Sequence, residues 1–169
     1  VQLTGWPMEY LHDLLPPLSQ PVRKPTVVFP HRLAPEKQVE IFRDLAQSMP
    51  EYEWIVCQET QLTKDQYHAI LGSAAMVFSA NLQETYGISA IEGLLAGSVP
   101  LLPDRLSYSE MWDDRFLYPS EWTTDWNAYQ ANKANIIQRI RKDMGEVLGK
   151  SNQLQSNMAR QVEAMRLFT

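Results

Sequence analysis

Four side chains in this sequence have the types and spacing to do chemistry. Arg32 and Lys37 follow a short apolar run and flank Pro35, at the opening of a helical pattern. Cations are poorly placed at a helix N-terminus, where the backbone dipole prefers anions. The conflict is relieved if both join the backbone N–H groups in holding a phosphate. The competing account makes them solvated charges beside an ordinary Pro35-Glu36 helix start. Glu84 and Glu92 straddle Gly87 and the first turn of a second helical pattern. An ionised carboxylate only accepts hydrogen bonds, and it can take both hydroxyls of a vicinal diol. Two such groups around a phosphate suit a nucleotide sugar, with one diol on the ribose and one on the hexose. Equally, both are helix-start carboxylates, favourable by about 0.3–1 kcal/mol through the dipole alone. Gly87 allows a ligand to approach the backbone closely.

The elements that must position these residues alternate between strand and helix. Apolar runs at 26–29, 54–57, 76–78 and 99–102 predict buried strands, with Pro100 marking a strand start or an irregular pairing. Phe116 to Tyr118 predicts a short fifth strand. Helical spacing predicts helices over 36–49 (Val39, Phe42, Leu45, Ala46, Met49), 63–73 and 88–96, the last stopped by Gly97. Thr63 with Gln66, and Ser107 with Glu110, have the spacing of capping boxes. Ile136, Ile140, Met144 and Val147 share one helical face, and a last amphipathic helix spans 152–167. This alternation predicts an α/β fold: a Rossmann-like parallel sheet of about five strands, helices on both faces, and C-terminal helices. Ligands of such sheets bind beyond the carboxyl ends of the strands. The rule selects the loops 30–35, 57–62 and 79–87. Residues 1–25 hold five of the eleven prolines and read as a linker with at most a short helix around 9–15, leaving 26–169 as the folded domain.

Composition narrows the function. The chain has 169 residues, 44% hydrophobic and 21% charged, an ordinary globular mix. Fifteen basic against twenty acidic residues give −5, which argues against nucleic-acid binding by this domain itself. The one cysteine, Cys57, excludes an internal disulfide and a thiolate zinc cluster, and fits a reducing, cytoplasmic location. No apolar stretch is long enough for a transmembrane segment. The chain opens at Val1 without an initiator Met and reads as a piece of something longer. His12 and His68 read as surface or structural residues, and Cys57 as a small buried hydrophobe. Trp112, Trp122 and Trp126 read as core packing rather than sugar stacking.

The segment Glu84-Thr-Tyr-Gly-Ile-Ser-Ala-Ile-Glu92, followed by Gly93 to Gly97 and Val99-Pro100, resembles the signature of the retaining "group 1" glycosyltransferases of the GT-B fold. His31-Arg-Leu-Ala-Pro-Glu-Lys37 resembles that family's phosphate loop, and the two motifs come in the family's order. The likeness covers about residues 26–118. It implies the donor-binding C-terminal half of a glycosyltransferase, inactive alone, whose N-terminal acceptor-binding domain is a partner within the same protein. The donor would be a nucleotide-diphosphate sugar, used without metal or cofactor. Arg32 and Lys37 would neutralise the diphosphate, and the backbone of Tyr86, Gly87 and Ile88 would contact phosphates and sugar. Glu84 would hold the transferred sugar near the reacting carbon, and Glu92 the ribose. The catalytic group is thus Glu84, Arg32 and Lys37.

Departures from the family pattern are specific. His31 and Gln38 stand where the family has glycine, and one strand–helix unit is missing after the second strand. Pro103 to Tyr108 replaces a Gly-Gly turn, so Arg105 either supplies a substitute phosphate contact or is a solvated arginine. The last helix is expected to pack toward the missing half, leaving Met158, Val162, Met165 and Leu167 partly exposed; the alternative is that it seals this domain's own core. Acceptor, donor sugar and base stay open. The alternatives are a non-catalytic nucleotide-sugar module and a GT-B sugar-nucleotide epimerase; a receiver-like signalling domain would need acids where Arg32 stands.

Overall fold

The structure is a computed structural model that describes residues 23–84 and 87–165. Five strands, β1 (Lys24–Phe29), β2 (Glu53–Val56), β3 (Ala74–Phe78), β4 (Val99–Pro103) and β5 (Leu117–Tyr118), form one sheet in the order β2-β1-β3-β4-β5. Every neighbouring pair is parallel. Among the described residues there are six α-helices, α1 (Val39–Ser48), α2 (Lys64–Ser73), α3 (Ile88–Ala96), α4 (Leu106–Met111), α5 (Trp126–Leu148) and α6 (Asn152–Met165). One face of the sheet carries α1 against α5, and the other carries α2, α3 and α6. This is the Rossmann-like α/β domain that the alternation predicts. No helix among the described residues is long and apolar enough to cross a membrane.

β3 and β4 are buried at every residue, because both sheet faces are covered and parallel strands then read as unbroken apolar runs. α3 lies unusually close to the sheet, since a Cβ on Gly93 would sit 2.7 Å from the Val77 side chain. Pro100 pairs in register with Val77 inside β4. The Ser79 amide donates to the Leu101 carbonyl, so alternate residues of β4 address β3. Pro100 therefore turns its missing donor toward β5, which reaches only Leu102 and Pro103. At the amino edge, the Arg23 guanidinium donates to the carbonyls of Gly72 and Ala96, both at 2.6 Å, tying the entry to β1 onto the last turns of α2 and α3.

Four expectations change. The helix predicted from residue 36 is broken: Pro35–Lys37 make one 3-10 turn, Gln38 is left-handed at φ 53°, and α1 starts at Val39. The Gln38 amide donates to the carbonyls of Ala80 (2.8 Å) and Thr123 (2.6 Å), which holds this residue in its left-handed conformation. The Ser107–Glu110 capping box does not form; α4 follows Arg105 with no side-chain cap, and the Ser107 hydroxyl is buried. The Thr63–Gln66 box forms in full. Finally, Met158, Val162 and Met165 of α6 are buried in this domain's own core, so of the two accounts of that helix the sealing one holds; Leu167 lies outside the described residues. β1 begins at Lys24, within the segment read as linker, and the helix expected around 9–15 lies outside the described residues.

Candidate functional site

The strand order reverses between β1 and β3: after β1 the chain crosses to one side of the sheet, and after β3 to the other. The loops leaving these two strands diverge, and a crevice opens between them at their carboxyl ends. The 3-10 turn and the left-handed Gln38 rotate Lys37 inward from the first loop, leaving it only 9% exposed. Its Nζ donates to the Gln83 carbonyl at 3.0 Å and to Glu84 Oε2 at 3.3 Å, both on the second loop. Asn81, fully buried, donates through Nδ2 to the same Glu84 oxygen at 2.8 Å and to the Tyr108 hydroxyl at 3.1 Å. The Tyr108 hydroxyl also pairs with Ser79 Oγ at 3.2 Å, and Ser79 itself is buried.

His31 completes this network. Its Nε2 lies 3.2 Å from the Phe78 carbonyl, which can only accept, so the proton is assigned to Nε2 and the Nδ1 lone pair faces Asn81 Nδ2 at 3.5 Å. Burial lowers its pKa from 6.5 to about 4, helped by the Lys37 charge. The unfolded chain would protonate this imidazole near 6.5, the folded one not until about 4. The stability tied to the neutral ring is thus complete above pH 6.5 and is lost as pH falls toward 4. In paired denaturant titrations over this window, wild type is expected to lose stability more steeply than His31→Gln. Equal slopes would show that the ring takes up its proton in the folded state without penalty.

Gly87 caps α3 at φ 64°, and no side chain caps this end. Ala90 and Ile91 donate to the Gly87 carbonyl, so the N–H groups of Ile88 and Ser89 have no partner within the helix, and both residues line the crevice. A Cβ on Gly87 would meet the Tyr108 ring at 2.7 Å, so glycine is required by both the backbone and the ring behind it. A cleft of about 290 Å³ lies here, lined by His31, Arg32, Lys37, Glu84, Ile88 and Ser89 among others. Beside it, sharing Pro30 and Ser89, lies a second cleft of about 340 Å³ that includes Cys57, Gln58, Tyr67 and Glu92. The two glutamates thus stand in adjoining compartments on either side of the α3 mouth.

Glu92 is engaged from α2. The Tyr67 hydroxyl donates to Oε1 at 3.3 Å, and His68 Nε2 lies 3.5 Å from Oε2. Burial raises the Glu92 pKa, while His68, Tyr67 and Lys64 pull against it. Burial likewise pushes the Cys57 thiol up to about 11, which leaves it a poor nucleophile.

The site residues expected from sequence separate cleanly. Lys37, Glu84, Ile88 and Glu92 line the paired clefts, and Gly87 sets the start of α3 beside them; Tyr86 lies outside the described residues. Arg32 lines the first cleft, but its side chain is 71% exposed and pairs with Glu36 at 2.9 Å. Arg105 is neither solvated nor a phosphate ligand: it donates to the carbonyls of Asn81 (2.8 Å), Ala80 (3.0 Å) and Ser120 (2.9 Å) and braces the second loop. Trp112 is buried, in keeping with packing, whereas Trp126 is 41% exposed. His68 is not a surface residue; it is buried against Glu92. Asn81, Tyr108, Tyr67 and His68 all escape a reading by motif. Asn81 could have been found as a polar residue three positions past a strand end, where loops carry ligand chemistry. Among the described residues no group of three His, Cys, Asp or Glu could hold a metal ion. Neither a family model nor a curated protein matches the chain.

Proposed function

We propose that this domain binds the nucleotide-diphosphate sugar of a retaining glycosyl transfer, as the C-terminal, donor-binding half of a GT-B enzyme. One observation carries the reading. Lys37 and Glu84, 47 residues apart, meet at 3.3 Å at the switch point of the sheet, in a cleft that adjoins the Glu92 cleft. A cation and the open N-terminus of α3 face the space between two carboxylates, which matches a diphosphate with a polyol at each end. Lys37 and the α3 amides hold the diphosphate, Glu84 the hydroxyls of the transferred sugar, and Glu92 the ribose.

In the transfer, the bond from the anomeric carbon to the diphosphate oxygen breaks and the electron pair leaves with the diphosphate. The acceptor oxygen bonds the carbon on the same face, and its proton passes to the departing phosphate oxygen. Lys37 and the α3 amides then face the charge that develops on the leaving group, a contribution that often dominates catalysis. The acceptor and its site belong to a second domain. The lone unpaired Cys57 is in keeping with a cytoplasmic reaction.

Calorimetric titration with UDP-, GDP-, ADP- and CMP-sugars tests the reading. Saturable binding of one nucleotide class is expected. No binding at millimolar ligand, either to this chain or to one carrying an acceptor domain ahead of it, would overturn it.

A further inference from the structure

Glu92 is reached by two consecutive side chains of α2, and they take different oxygens: Tyr67 hydroxyl to Oε1 at 3.3 Å, His68 Nε2 to Oε2 at 3.5 Å. Each oxygen of an ionised carboxylate accepts in two directions. The hydroxyl takes one direction on Oε1 and the imidazole stands in ion-pair range of Oε2, so these two contacts restrain the plane of the group and leave each oxygen a further acceptor direction. That pair matches the two hydroxyls of a vicinal diol. A glutamate without these contacts would rotate freely about its terminal torsion. The pedestal is itself anchored, because the reciprocal Thr63–Gln66 box fixes the first turn of α2, directly before Tyr67. Tyr67 lines the second cleft together with Glu92. His68 is 7% exposed, stacks obliquely beside the Tyr67 ring at 5.6 Å, and meets the cleft through Glu92.

From this geometry we infer that Tyr67 and His68 set the specificity of the second cleft for ribonucleotides over 2′-deoxyribonucleotides, by holding Glu92 in the orientation that grips both ribose hydroxyls. His68 is a positioning residue and acts only through Glu92. Tyr67 positions the carboxylate and also forms part of the wall. The inference rests on the proposed role of Glu92 as the diol ligand and adds what makes that ligand selective.

The test is calorimetric titration of this chain with ADP, GDP and UDP and with their 2′-deoxy counterparts. Wild type is compared with Glu92→Gln, His68→Met, His68→Gln and Tyr67→Phe, each checked for a cooperative melt. A hydroxyl bound to a charged acceptor contributes enough for wild type to favour the ribonucleotide by about tenfold or more. Glu92→Gln and His68→Met are expected to lose most of that ratio, and His68→Gln, whose amide N–H replaces the imidazole Nε2, to keep most of it. If His68→Met does not melt cooperatively, Tyr67→Phe decides by the same ratio, since it deletes only a hydroxyl. A wild-type ratio in His68→Met or, failing that, Tyr67→Phe, together with its loss in Glu92→Gln, would overturn the positioning role and leave the donor-binding reading intact. Absence of any nucleotide binding by wild type would remove both.

Discussion

Replacing Lys37 with alanine is expected to weaken nucleoside diphosphate binding by about 10- to 100-fold, the loss of a partly buried, charge-assisted contact. The ammonium is 11% exposed at the side chain and already held at 3.3 Å from Glu84, so little freedom remains to be lost when a phosphate arrives. Arg32→Ala is expected to cost less than about fivefold. Its guanidinium is 71% exposed and paired with Glu36, where an ion pair contributes about 0–1 kcal/mol. The sequence motif treats the two cations alike, whereas the fold does not. Titration calorimetry on both variants, after each is shown to melt cooperatively, reads the difference. Wild-type affinity in Lys37→Ala would remove the cation from the proposed phosphate site.

Asp143→Ala is expected to cost about 3–5 kcal/mol, because it strips Arg139 of its buried carboxylate and leaves Arg115 with Glu146 alone. Asp143 is 0% exposed on α5, with Arg115 Nη1 at 3.1 Å and Arg139 Nε at 3.2 Å. Arg139 also donates to the carbonyls of Leu117 (2.9 Å) and Arg115 (2.6 Å), so the carboxylate orients the group that holds β5 to the long helix. Burial raises the Asp143 pKa while the two arginines oppose it, so burying this charge is costly unless both stay in place. For a domain of this size the cost corresponds to a melting temperature lower by roughly 10 °C. A loss below about 1 kcal/mol would show that the arginines find other partners.

What the sequence made legible follows from which forces act locally. The helix over Ile88–Ala96, its Gly97 stop and the Thr63–Gln66 cap appear as read, since each is set by residues within one or two turns. The buried face of Ile136, Ile140, Met144 and Val147 appears for the same reason. The break at Gln38 was not legible. A left-handed glutamine is held there by carbonyls of Ala80 and Thr123, remote in sequence, and no local pattern announces it. The same limit hid Asn81 and His68. Each is an ordinary polar residue until the fold sets it against Glu84 or Glu92. Arg105 shows the converse: a cation at a promising loop position spends its donors on backbone carbonyls. Among the glutamates, spacing placed both near the α3 mouth but could not show that they serve separate compartments.

The burial of Met158, Val162 and Met165 under α6 has a calorimetric consequence. Among the described residues the apolar face of the last helix is already desolvated, so it has nothing to add when a ligand arrives. The heat capacity of complex formation then reports the walls of the two clefts and nothing of coupled folding.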